Sequence, residues 1–114
     1  MKSRENYLRA IYRLTEKGEK ATSTGEISGE LDVSNASVSE AVKKLEEENL
    51  ICRKPYKGIT LSPMGKEEAR RATEKYRKLK KLFQETGVEE PEKEADNVEH
   101  SISMKAVEKM MENM

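Results

Sequence analysis

The sequence contains one cysteine, one histidine, one phenylalanine and no tryptophan. A single cysteine excludes an internal disulfide, and the single histidine excludes, with it, the Cys/His ligand sets of structural zinc sites. A Ser-His-Asp or Cys-His catalytic pairing has no support, because Cys52 and His100 fall in different predicted elements. No glycine-rich loop is present to hold a phosphate. We therefore expect a protein that is not an enzyme and that occupies a reducing compartment.

Long apolar runs are also missing. The N-terminal residues lack the apolar segment of a secretory signal, and no stretch approaches the roughly 18 apolar residues that a membrane-spanning helix needs. We expect a cytoplasmic protein without a membrane partner. Because 34% of the 114 residues are hydrophobic and 39% are charged, the core must be thin. Pairing of amphipathic helices with a second copy would bury more apolar surface, so the composition predicts an oligomer.

Basic and acidic residues are unevenly distributed, although the formal net charge is zero. Residues 1–50 carry a net charge of −2, residues 51–81 carry +8 and residues 85–114 carry −6. Binding to phosphates requires local positive potential, which the middle segment provides. The pattern predicts one surface for an anionic partner and another that stays away from it.

Apolar residues with helical spacing predict three helices in the first half of the chain. Ser3, Ser23 and Ser34 stand immediately before these helices and are the expected N-caps, since a serine side chain accepts from a backbone N–H group of the first turn. The first helix should run from residue 4 to about 16, and the third from residue 35 to about 48. The second and third helices then form a helix-turn-helix.

Two short extended runs follow the third helix, at residues 50–54 and 58–61, and the Pro-Tyr-Lys between them indicates a β-hairpin, or wing. Three helices and a two-stranded wing predict a mainly α fold, a winged helix-turn-helix, over residues 1–62. A helical dimerisation region should follow over residues 63–114, made of a connecting helix and dimerisation helices.

The region after the wing is predicted to contain two helices. Ser62 and Pro63 should start the connecting helix, Gly87 should break it, and a polar linker at residues 89–92 should separate it from a last helix that starts near residue 94. The apolar seam of the connecting helix comprises Ala69, Ala72, Tyr76, Leu79 and Phe83. The predicted dimerisation residues of the last helix are Val98, Ile102, Ala106 and Met110, with Met114 continuing the stripe.

In a helix-turn-helix the second helix enters the major groove of duplex DNA and is called the recognition helix. Here Asn35 suits adenine, Ala36 a thymine methyl group and Glu40 the N4 amino group of cytosine. The predicted contacts on the third helix are Ser34, Asn35, Ala36, Ser37, Ser39, Glu40, Lys43 and Lys44. The predicted contacts on the wing are Arg53, Lys54, Tyr56 and Lys57, and Arg4 is expected to add a phosphate or minor-groove contact.

Several segments resemble the iron- and manganese-dependent repressors, the relatives of diphtheria toxin repressor. These segments are residues 5–12, Leu31-Asp32-Val33-Ser34, Val38-Ser39, residues 61–66, Thr86-Gly87-Val88 and Glu99-His100. The resemblance spans nearly the whole chain. It implies a homodimer with two winged helices, whose spacing on double-stranded DNA is set by a bound divalent metal that acts as corepressor.

The resemblance also implies metal ligands from the first helix, from the connecting helix and from the last helix. Asp96, Glu99 and His100 match the group on the last helix. They fall at positions i, i+3 and i+4, which is one face of a continuous helix. Two carboxylates and an imidazole suit Mn(II) or Fe(II).

The remaining ligand positions of this resemblance hold other residue types. Asn6 and Arg9 occupy those of the first helix, and Tyr76 and Lys80 occupy those of the connecting helix. Arg9 and Lys80 are fixed cations that would oppose a dication but would pair with the acids of the last helix. We hypothesise that these two cations substitute for the metal, so that the regulator needs no cofactor.

Three functions stay open from the sequence. The favoured one is a DNA-binding transcriptional repressor that reads its operator as a homodimer and without metal. The second is an Mn(II)- or Fe(II)-responsive repressor with a reduced metal site. The third is a winged-helix module that binds another protein and not DNA. Duplex binding that weakens steeply with salt separates the first two from the third.

Overall fold

A computed structural model describes residues 2–113, and the chain divides into a first unit, Met1–Arg70, and a second unit, Arg71–Met114. The elements are α1 Arg4–Leu14, α2 Thr24–Leu31, α3 Asn35–Glu47, β1 Ile51–Lys54, β2 Gly58–Leu61, α4 Pro63–Thr86, α5 Pro91–Val98 and α6 Met104–Glu112. The predicted mainly α fold with a two-stranded wing is confirmed. Within residues 2–113, no helix combines the length and the apolar character needed to cross a membrane.

Serine N-caps start the first three helices, as predicted. Ser3 Oγ accepts from the backbone N–H of Asn6 at 3.2 Å, and Asn6 Oδ1 accepts from the backbone N–H of Ser3 at 2.7 Å. Ser23 and Ser34 accept in the same way from the third residue of their helices, at 3.1 Å each. Each cap satisfies an N–H group that the helix itself leaves without a partner.

Helix α1 ends at Leu14 and not at the predicted Glu16, because the backbone turns left-handed immediately afterwards. Glu16 has a φ of 51° and Lys17 a φ of 63°, which no right-handed helix accommodates. Thr15 is fully buried at this end, and its Oγ1 accepts from the backbone N–H of Gly18 at 3.0 Å. The tight turn thus has its own hydrogen-bonded support.

The wing is the predicted antiparallel hairpin, with Ile51 opposite Leu61 at its base. One pairing was not predicted: Thr22, just before α2, forms a bridge with Ile59, with N···O distances of 2.9 and 2.8 Å. Ile51, Ile59 and Leu61 face inward and are buried, whereas Cys52 is exposed on the outer face of β1. The bridge therefore attaches the wing to the segment that leads into the helix-turn-helix.

The core of the first unit draws on every one of its elements. Helix α1 packs against α2, α2 against α3, and α3 against β1. A Cβ atom on Gly65 would lie 1.8 Å from the carbonyl oxygen of Leu50, so glycine is required where α4 starts against the wing. The buried cluster comprises Tyr7, Leu8, Ile11, Ile27, Val38, Val42, Leu45, Leu50, Ile51, Ile59, Leu61 and Ala69.

In the second unit, the prediction of one continuous last helix is wrong. Helix α5 starts at Pro91, since proline fits the first helical position and lacks the N–H that would need a partner there. It ends at Val98, the chain turns through residues 99–103, and Ser103 caps the separate helix α6. The predicted stripe from Val98 onward is therefore interrupted, and Met114 lies outside the described residues.

The second unit has a small core of its own. Leu79 on α4, Ala95 on α5 and Val107 on α6 are each fully buried. Half-buried apolar side chains packed against this cluster are Tyr76, Phe83, Val98, Ile102 and Met111. Ala106 is half-buried, and Met110 remains 39% exposed on the outer side of α6.

Candidate nucleic-acid interface

Helix α3 has two chemically distinct faces. Val38, Val42 and Leu45 point into the core and are at most 2% exposed. The opposite side carries small polar and charged residues, all of them exposed: Asn35, Ala36, Ser37, Ser39, Glu40, Lys43 and Lys44. The predicted contact residues of the recognition helix are thus brought together on one accessible surface, with Ser34 at its N-terminus.

The turn between α2 and α3 is held by a side chain and by a backbone conformation. Asp32 adopts a left-handed φ of 54°, which reverses the chain after α2. Ser28 Oγ then donates to the carbonyl oxygen of Val33 at 2.5 Å. Asparagine and aspartate tolerate this conformation better than most residues, which suits Asp32 to the position. The turn sets the orientation of α3 relative to α2.

Glu40 places a carboxylate on the surface that is expected to face phosphates. Its Oε1 lies 3.9 Å from Nζ of Lys44, one helical turn later, so a cation accompanies the acid. Burial raises the pKa of the Tyr7 hydroxyl, and the Glu40 carboxylate raises it further. Both groups line a cleft of about 320 Å³ beside α3.

The wing adds an exposed basic tip. Lys54, Tyr56 and Lys57 are exposed, and the Tyr56 side chain is fully in solvent with a left-handed φ of 65°. Arg53 is less available than predicted, because its Nη2 lies 2.9 Å from Oε1 of Glu46 on α3. The tip therefore carries the free cations of the wing, and the base of the wing is tied to the recognition helix.

Arg4 does not fit its predicted role as a free DNA contact. Its guanidinium forms ion pairs with Glu48, just after α3, at 2.9 Å, and with Glu68 on α4 at 2.7 Å. Hydrogen bonding to Glu48, and then to Glu68, raises the pKa of Arg4 above its usual value, against the opposing effect of burial. Two carboxylates thus occupy the donors that would otherwise meet a phosphate.

Residues 1–59 match the family described as "Iron dependent repressor, N-terminal DNA binding domain", which covers more than half of the chain. The chain belongs to the iron dependent repressor family. It is 30% identical over 109 residues to an uncharacterised helix-turn-helix transcriptional regulator of Methanocaldococcus jannaschii, covering 93% of this chain and 87% of that protein. The predicted family resemblance is confirmed, and so is the predicted function as a DNA-binding transcriptional regulator.

Two characterised names accompany these matches. The transcriptional regulator MntR of Geobacillus thermodenitrificans is 30% identical over 110 residues, covering 95% of this chain and 77% of MntR. The solved structure of the manganese regulator SloR is 31% identical with a TM-score of 0.82, covering 96% of this chain and 52% of SloR. The chain therefore spans about half the length of SloR.

The first-helix residue Asn6 of this iron dependent repressor relative has a structural task. Its side-chain oxygen accepts from both the backbone N–H and Oγ of Ser3, at 2.7 and 3.0 Å. The residue is 9% exposed, so this carboxamide is largely shut off from solvent. An amide oxygen that already accepts two hydrogen bonds is a weak donor for a metal ion, in contrast to a free carboxylate.

The predicted metal donors of the second unit lie in different surroundings. Asp96 is on α5, whereas Glu99 and His100 follow the end of that helix, so the three do not share one continuous helical face. Glu99 is fully buried and His100 is exposed. Over the residues that the structure describes, no group of three His, Cys, Asp or Glu side chains is placed to hold one metal ion. This donor set does not fit a divalent metal.

Two cations of α4 have partners in the second unit. Lys80 Nζ lies 3.9 Å from Oε1 of Glu92 at the start of α5. Lys75 Nζ donates to the carbonyl oxygen of Ile102 at 3.0 Å, in the turn before α6. Lys75 was not among the predicted residues, because a lysine on a charged helix has no sequence signal that distinguishes a tether from a solvated side chain.

Proposed function

We propose that this member of the iron dependent repressor family represses transcription as a homodimer that binds operator DNA without a bound metal. Residues 1–62 would bind DNA, and residues 63–114 would connect and dimerise. The observation that carries the DNA-binding surface is the exposed polar face of α3, whose opposite face is at most 2% exposed at Val38, Val42 and Leu45. Such rigid backing positions side chains for base contacts.

The proposed contacts divide by chemistry. Asn35, Ala36, Ser37 and Glu40 present groups that suit base edges in the major groove. The proposed phosphate contacts are Ser34, Ser39, Lys43, Lys44, Arg53, Tyr56 and Lys57. Of these, Lys57 and Tyr56 at the wing tip are the most accessible, whereas Arg53 must exchange Glu46 for a phosphate.

The DNA-binding surface is tested with a duplex selected from a random library by the purified protein. Its affinity should fall steeply with salt, and Lys43→Gln combined with Lys57→Gln should lower the slope by roughly 1.8, about 0.9 for each lost phosphate contact. Lys105→Gln, an exposed lysine in the second unit, is the control and should leave the slope unchanged. Absence of duplex binding at low salt would favour a protein-interaction module.

Metal independence is supported by the donor chemistry. Asn6 is committed to the α1 cap, and the other positions that the resemblance gives to ligands hold Arg9, Tyr76 and Lys80, of which two are cations. We propose that Arg9 and Lys80 provide the positive charge that a corepressor metal would otherwise bring. The acids that such a charge would neutralise are Asp96 and Glu99.

Calorimetry with Mn(II), followed by operator binding with and without EDTA, tests this part of the proposal. We expect no micromolar Mn(II) binding and the same operator affinity in both buffers. His100→Ala is the control. Micromolar binding that His100→Ala abolishes would instead establish a metal-responsive repressor with Asp96, Glu99 and His100 as its reduced site.

The proposed dimer rests on half-buried and exposed apolar residues of the second unit. Val98, Ile102 and Ala106 are half-buried, and Met110 is exposed. Sedimentation equilibrium should give twice the monomer mass, and Met110→Glu should shift the protein towards monomer. A monomeric wild type that still binds DNA would contradict the dimer and leave the DNA-binding surface in place.

A further inference from the structure

The Arg4 guanidinium joins three elements of the first unit. Nε donates to both carboxylate oxygens of Glu48, at 3.1 and 3.2 Å, and Nη2 donates to Oε1 of Glu48 at 2.9 Å. Nη2 also donates to Oε1 of Glu68 at 2.7 Å. One side chain at the start of α1 therefore holds the end of the recognition helix and the first turns of α4.

This ion cluster lies where the apolar packing is incomplete. Helix α1 packs mainly on α2, and a cleft of about 320 Å³ lies beside α3. Arg4 and Glu48 both line this cleft, together with Tyr7, Ala41 and Leu45. Because packed side chains do not fill this space, the direct connection from the start of α1 to the end of α3 runs through charged hydrogen bonds.

A cluster of this kind has more positional effect than an isolated surface pair. Arginine presents its donors in a rigid plane, so two-point contact with Glu48 restricts both distance and angle. The Arg4, Glu48 and Glu68 side chains are 36%, 44% and 40% exposed, so water reaches the cluster and weakens each pair. The second carboxylate compensates, since Arg4 is already ordered when it binds Glu68.

We propose that Arg4 is a positioning residue for DNA binding: by bridging Glu48 and Glu68 it fixes the end of the recognition helix against the start of α4. This inference rests on the proposed DNA-binding function. Arg4 acts through α3 and makes no phosphate contact of its own, although it lies on the same side of the unit as Lys2 and Lys44, which line the same cleft.

The sharpest test is the sign of the effect at Glu48. Removing a carboxylate close to a DNA-binding surface should strengthen binding if only net charge matters, because phosphates repel carboxylates. We expect Glu48→Gln to weaken binding of the selected duplex by about fivefold, which a change in orientation alone produces. Glu47→Gln is the matched control, an exposed neighbour on α3, and should bind slightly more tightly.

Arg4→Gln provides the second readout. We expect a similar loss of affinity with an unchanged slope of log K against log salt, and little further loss when Arg4→Gln and Glu48→Gln are combined, because both remove the same contact. Arg4→Lys should restore part of the affinity. Melting temperatures of all variants identify any that fail to fold, and Glu68→Gln then replaces that variant in the cycle.

Two results would overturn the inference. One is tighter duplex binding by Glu48→Gln. The other is a slope that falls by about 0.9 in Arg4→Gln, which would make Arg4 a phosphate contact. Failure of the wild type to bind any duplex would instead contradict the proposed function, so the two failures are distinguishable.

Discussion

The two units differ in what holds them together. The first unit has an extended apolar core to which all of its helices and both strands contribute. The second unit has a small buried cluster of Leu79, Ala95 and Val107, surrounded by half-buried apolar residues and polar tethers such as that between Lys75 and Ile102. The first unit thus has the means to be stable by itself, whereas the second has apolar surface left for a partner.

The largest expected effect is a core truncation beneath the recognition helix. Leu45→Ala should lower the free energy of unfolding by about 3 kcal/mol, since a leucine that is 2% exposed leaves a cavity. Ile102→Ala, at a half-buried position in the second unit, should cost clearly less. Urea denaturation followed by circular dichroism measures both. Equal losses would mean that the two cores are equally well packed.

Matched helix caps give the next effect. Ser34 and Ser103 each accept from the third residue of their helix at 3.1 Å. Alanine at either position should cost about 1 kcal/mol of stability. Only Ser34→Ala should also weaken operator binding, because its helix is the recognition helix. Weaker binding by Ser103→Ala at a concentration where the protein stays fully dimeric would contradict this separation of roles.

The lysine tether of the second unit should have a smaller effect. Lys75→Met removes a charged donor 3.0 Å from the Ile102 carbonyl oxygen. We expect a loss of roughly 0.5 to 1 kcal/mol, because the side chain is only half-buried and water compensates in part. Lys81→Met on the exposed side of α4 is the control. Equal melting temperatures for the two variants would mean that the tether adds no stability.

The smallest expected effect is a pH dependence at Tyr7. Burial, and then the Glu40 carboxylate, raise the pKa of its hydroxyl in the folded state. The unfolded chain then loses this proton first, so stability should fall as the pH rises above about 10. Tyr7→Phe should show a smaller decline than the wild type in thermal melts over this range. Parallel curves would contradict the raised pKa.

Local signals predicted most of the first unit. Ser3, Ser23 and Ser34 each have an immediate effect on the adjacent turn, and the short loop between the two extended runs leaves a hairpin as the compact solution. What remained unpredicted depends on distant partners. The bridge of Thr22 with Ile59 and the ion pairs of Arg4 join residues far apart in the sequence, and no local pattern encodes them.

The second unit was predicted less well, for a physical reason. Val98, Ile102 and Ala106 keep a helical spacing that also suits two helices separated by a turn, so periodicity alone does not locate the break. Ser103 is an N-cap, but an isolated serine within an apolar stripe is a weaker signal than the serines before α1 and α3. The interruption also separates Asp96 from Glu99 and His100, whose predicted common face required an unbroken helix.

The exposed thiol on the outer face of the wing makes this chain convenient to study. Cys52 is the one cysteine among 114 residues, so a maleimide dye attaches at a single known place without any substitution. Energy transfer between two dyes on a dimer would report the separation of the two wings directly. Titrating operator DNA or Mn(II) into such a labelled sample would follow the wings in solution while each ligand binds.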